Sequence, residues 1–126
     1  RECGTAAADL GVEIRVEVHG RETKEPKHMR TIMDHADHPN VYICWNSNFN
    51  EVIDGSIKAN FDLLKHKIRL VHITELCKAE YPWRELFAEL KAIGFEGYTL
   101  AEIPASPEPE RLLHYYRALW EAYGGK

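Results

Sequence analysis

The sequence has no run of lysine or arginine: 16 basic side chains are scattered among 20 acidic ones, for a net charge of −4. Binding to a phosphate backbone by counterion release needs a basic stripe, so no nucleic-acid partner is expected. No apolar stretch approaches the ~20 residues of a membrane helix. A membrane partner is therefore not expected either, and the chain reads as soluble and cytoplasmic. Cysteine is sparse. Cys3, Cys44 and Cys77 are odd in number, lie far apart and form no Cys-x-x-Cys pair, which argues against a disulfide framework or a zinc knuckle. An initiating methionine and a signal-peptide pattern are also missing; the chain opens on Arg1 and reads as processed, or as cut from something longer.

What is present is globular. Hydrophobic residues make up 44% and charged residues 29% of 126 positions, enough for one domain with its own core. Four apolar runs read as strands. Ile14, Val16 and Val18 alternate with Glu13, Arg15 and Glu17 within residues 12–18, a period of two. Residues 41–45 and 68–73 are compact apolar runs of the kind buried on both faces of a sheet. Residues 98–103 form the last run. Between them lie stretches with helical spacing: Met29, Ile32, Met33 and Ala36 over 27–36, then 57–64 after a Ser56 N-cap, then Trp83, Leu86, Phe87, Leu90 and Ile93. Gly94 fits the position just past that helix. A final helix opens near Ser106-Pro107, with Leu112, Leu113, Tyr116, Leu119, Trp120 and Tyr123 expected on its buried side. Residues 5–10 read as the tail of an earlier helix. Strands alternating with helices predict an α/β fold with a parallel sheet and helical crossovers.

One polar residue closes each strand: Glu17, Asn46, His72 and Glu102, separated by 29, 26 and 30 residues. Eight βα units in ~250 residues repeat about every 31, so the spacing matches consecutive units of a TIM barrel. Each of the four has the parity that points to one side of the sheet, at the carboxyl-terminal rim where α/β proteins place their sites. Two carboxylates, an amide oxygen and an imidazole make a mixed oxygen–nitrogen shell for a divalent ion.

The segments GVEIRVEVHG, YICWNSN, RLVHITEL and GYTLAEI resemble, in order, the last four strands of the sugar phosphate isomerase/epimerase superfamily. These are the xylose isomerase-like TIM barrels that also include AP endonuclease family 2. The resemblance implies a half TIM barrel of four consecutive βα units, helices outside, forming a single C-terminal half-barrel domain over residues 1–126. It implies metal ligands at Glu17, Asn46, His72 and Glu102, with Glu17 and Glu102 also catalytic. The ion would be Mn²⁺ or Mg²⁺, with Co²⁺ or Zn²⁺ as further candidates. The implied reaction is proton transfer next to a sugar carbonyl through an enediolate. The family usually carries Asp where this chain has Asn46, and its barrel has eight units where this chain has four.

Other residues admit plainer readings. His19 fits a substrate hydroxyl contact or a turn histidine equally, and Asn48 fits substrate contact or an ordinary polar loop. Trp45 reads as core, Glu75 as loop, and Asp34, His35, Asp37 and His38 as a solvated helix end. Arg15 would point into the barrel interior and needs a partner carboxylate or solvent. Two further readings compete with the isomerase. One is a catalytically inactive fragment or sugar-binding relative with a decayed metal site. The other is an AP-endonuclease-like phosphodiesterase, which needs extra ligands and a basic face that are not visible here. The expected partners are a small sugar and either a second copy or a missing N-terminal half-barrel. Free strand edges, and a concave face carrying Tyr42, Cys44, Leu70, Tyr98 and Leu100, demand cover.

Overall fold

A computed structural model describes residues 1–125. Its order is α1 (Glu2–Asp9), β1 (Ile14–Glu17), α2 (Pro26–Ala36), β2 (Val41–Trp45), α3 (Lys58–Leu64), β3 (Ile68–Ile73), α4 (Trp83–Ala92), β4 (Tyr98–Ala101) and α5 (Pro109–Tyr123). The strands form one parallel sheet in the order β1-β2-β3-β4. The sheet does not close, so the fold is α/β and consistent with half of a TIM barrel. Among the described residues, no helix is long and apolar enough to cross a membrane.

The core lies between the sheet and its helices. Val41, Ile43 and Trp45 from β2 and Val71 and Ile73 from β3 meet Met29 and Met33 of α2, Phe61 and Leu64 of α3, and Leu86 and Leu90 of α4. Trp45, as expected, is fully buried, and Phe61 meets it edge-on at 5.4 Å. Each such side chain contributes about 1.5–3 kcal/mol by leaving water. Helix ends follow local chemistry. Ser56 accepts from the Lys58 N–H at 3.1 Å, but the N-cap is Ile57, whose own N–H donates to Glu85 of α4 at 2.9 Å. Gly94 takes φ +64° beyond α4, letting the Phe95 N–H reach the Leu90 carbonyl at 3.0 Å.

Strict alternation fails at one place. Ile43 pairs with Ile68 but Cys44 pairs with Leu70, so Arg69 is an extra residue in β3. This bulge turns Ile68 into the core, where it is 5% exposed, and leaves Arg69 over the Tyr42 ring at 4.8 Å. The concave face is accordingly less apolar than expected. Arg15 there pairs with Glu13 at 2.8 Å, Cys44 is buried, and exposure concentrates on β4, where Tyr98 is 74% and Leu100 44% exposed. α5 also differs from its apolar stripe. Tyr116, Trp120 and Tyr123 pack on the core, whereas Leu113 and Leu119 are exposed.

Candidate functional site

The strand register determines which side chains can meet. Glu17 is level with Cys44, and Cys44 with Leu70, so Asn46 and His72 stand one pleat further along. Leu70 is level with Tyr98, which puts Glu102 two pleats further. The four strand-end residues therefore climb diagonally across the sheet, as the stagger of a barrel wall requires. Long glutamate side chains bridge that stagger. Nδ1 of His72 lies 2.8 Å from Glu17 Oε1 and 3.8 Å from Glu102 Oε2.

Glu17, His72 and Glu102 form the only metal-capable carboxylate–histidine group among the described residues, with one ligand atom from each lying within 4.8 Å of the others. Ligands of one ion at ~2.2 Å stand at most ~4.4 Å apart, so small side-chain rotations suffice to make the set a shell. Asn46 is 1% exposed. Its Nδ2 sits 2.7 Å from Nδ1 of His19, while its carbonyl Oδ1 is buried with no hydrogen-bond partner. An orphaned buried carbonyl is costly, and a cation would satisfy it. The donor set fits a divalent metal ion.

The loop after β2 is held tightly. Ser47 adopts φ +42°, a strained backbone for a non-glycine residue. Its hydroxyl donates to the His72 carbonyl at 3.0 Å and accepts from the Thr74 N–H at 3.1 Å, tying the β2 and β3 ends together. Asn48 donates its amide to the Val18 carbonyl at the end of β1. His19, beyond the end of β1, meets the Asn46 side chain. Burial and the nearby Glu17 carboxylate push the Cys44 thiol up to about 12, which leaves it an inert neutral neighbour.

The other polar clusters are locally occupied. Arg30 pairs with Asp34, Arg1 with Asp37, His35 with the Thr31 carbonyl, and His38 with Thr5. Glu75 pairs with Lys78 in the loop after β3. What the sequence did not flag is Glu51, at the end of a 3-10 turn over Phe49–Glu51. It is 0% exposed, yet in sequence it reads as an ordinary loop carboxylate. Only the fold reveals its partner, Tyr81, 30 residues away.

The profile of the xylose isomerase-like TIM barrel family matches residues 1–119. The chain belongs to this family. No curated protein sequence matches it. Among solved structures it is similar to the 3-keto-D-glucoside 4-epimerase of E. coli, with a TM-score of 0.73 at 17% identity, over 94% of this chain and 50% of that one. It is also similar to a xylose isomerase domain protein from Planctomyces limnophilus, with a TM-score of 0.64 at 15% identity, over 97% of this chain and 51% of that one. This member of the family thus spans about half the length of the solved structures it matches.

Proposed function

We propose that this chain carries the metal-holding half of a sugar isomerase or epimerase that moves a proton at a carbon next to a carbonyl. The observation that carries the reading is the convergence of Glu17, His72 and Glu102 at the ends of three strands; the buried, unpartnered Asn46 oxygen at the end of a fourth supports it. These four residues would hold a divalent cation such as Mn²⁺ or Mg²⁺. When bound, the ion would supply Lewis-acid polarisation of a substrate carbonyl oxygen.

The chain's own residues do the rest. Glu17 ends one edge strand, β1, and Glu102 follows the other, β4, so that they flank His72 of β3, which suits them to address two faces of one carbon. One removes a proton and the other returns one, giving an epimer or an aldose–ketose pair. His72 would offer the ion a ring nitrogen. The Asn46 Nδ2–H donates to His19 Nδ1, which puts the His19 proton on Nε2 and leaves that N–H free for a sugar hydroxyl.

The alternative is a sugar-binding relative with a silent site, favoured by the neutral amide at Asn46. Deuterium wash-in separates the two. The chain would be incubated with Mn²⁺ and a panel of ketoses and ketoglycosides in D₂O. Deuterium appearing next to the carbonyl, and abolished by Glu102→Gln, supports catalysis. Sugar binding with no wash-in favours the silent relative.

A further inference from the structure

Behind the loop that carries Asn46 lies a buried polar chain. The Trp45 Nε1–H donates to Tyr81 Oη at 3.0 Å, and the Tyr81 hydroxyl donates to Glu51 Oε2 at 2.6 Å. Trp45 and Glu51 are 0% exposed and Tyr81 2%. The Glu51 carbonyl accepts from Asn60 Nδ2 at 3.0 Å, and its N–H donates to the Asn48 carbonyl at 3.0 Å. The chain therefore begins at the residue before Asn46 and returns to the same loop at Asn48.

A fold that needed only packing would have no use for this. A buried carboxyl costs several kcal/mol unless well bonded, and an apolar side chain of the same size is often the more stable choice. Here one carboxyl oxygen, Oε1, remains without a hydrogen-bond partner, as does Asn46 Oδ1 at the other end of the same loop. Two orphaned oxygens five residues apart, on a segment with a strained Ser47 between them, mark a loop held for position.

We propose that Glu51, with Tyr81 and Trp45 behind it, is a positioning residue that keeps the Asn46 side chain in the cation shell; the inference rests on the metal reading above. Groups that orient metal ligands are worth roughly 10–100-fold in affinity, and an amide ligand, lacking charge, depends on placement for its contribution.

The experiment compares the full chain with its Glu51→Gln, Glu51→Leu and Tyr81→Phe variants. The side-chain amide resonances of Asn46 are followed by NMR without metal, and Mn²⁺ affinity is measured by calorimetry. Wild type and Glu51→Gln are expected to give one sharp Asn46 amide pair and similar affinities. Glu51→Leu and Tyr81→Phe should broaden or shift that pair and weaken Mn²⁺ binding on the order of 10–100-fold. Should Glu51→Leu fail to fold, Tyr81→Phe decides alone. An unmoved amide pair overturns the positioning role whatever the metal does. Amide mobility with unchanged Mn²⁺ affinity also overturns it, because the tie would then serve only the fold. A wild-type chain that takes no Mn²⁺ while its variants mobilise Asn46 overturns the metal reading and leaves the tie to Asn46 standing.

Discussion

Replacing Glu51 with Gln should flatten the pH dependence of stability. Burial pushes the Glu51 carboxyl up to about 8 from an ordinary 4.5, against the pull of the Tyr81 hydroxyl and the Asn48 and Asn46 amides. Between those two values the unfolded chain carries an ionised Glu51 and the folded chain a protonated one, so folding takes up a proton. Stability consequently falls as pH rises through the window, by up to ~1.4 kcal/mol per pH unit. From pH 5 to pH 8 the loss attributable to this one group is about 3 kcal/mol, a large part of a marginal total. Gln keeps the acceptor for Tyr81 and cannot ionise. Urea unfolding followed by tryptophan fluorescence at pH 5, 6, 7 and 8, on both proteins, isolates the effect because other groups cancel in the difference. The wild type should lose its lead over Glu51→Gln steadily with pH. A difference that stays constant within the ~10–15% error of the extrapolation would refute a buried neutral carboxyl at this site.

Asn46→Asp should tighten Mn²⁺ binding on the order of tenfold by adding a charged ligand; calorimetry giving equal or weaker binding removes Asn46 from the shell. Phe61→Ala, which empties the space against Trp45, should cost about 3–5 kcal/mol in urea unfolding; a loss under ~1 kcal/mol would mean this core collapses around the gap. Tyr98 and Leu100 on β4, with Leu113 and Leu119 on α5, leave an uncovered apolar edge, so light scattering should report self-association above the 14.6 kDa chain. A stable monomer that binds no hydrophobic dye would show that the open edge needs no partner.

The parts of this fold legible in the sequence were those with short-range causes. Val41–Trp45 and Ile68–Ile73 match the expected strands residue for residue because short, largely apolar runs bounded by polar residues leave little choice. β1 and β4, Ile14–Glu17 and Tyr98–Ala101, are shorter than the runs expected over 12–18 and 98–103, although the Val18 and Glu102 N–H groups still bond to the neighbouring strands. The diagonal Glu17–His72–Glu102 cluster was readable from one polar residue per repeat. Three features depended on long-range geometry. The Arg69 bulge follows from barrel stagger, not from propensity. Leu113 and Leu119 follow a helical stripe, but the sheet ends at β4 and, among the described residues, they remain exposed. Glu51 looks like any loop carboxylate until Tyr81 is brought against it.

The most direct test of the metal site is anomalous diffraction at the manganese edge from crystals of the chain grown with Mn²⁺. One strong peak is expected, bonded by carboxylates of Glu17 and Glu102, a ring nitrogen of His72 and the Asn46 carbonyl oxygen. No peak among those four side chains, or a peak only at a surface group such as Asp34–His38, would contradict the metal site.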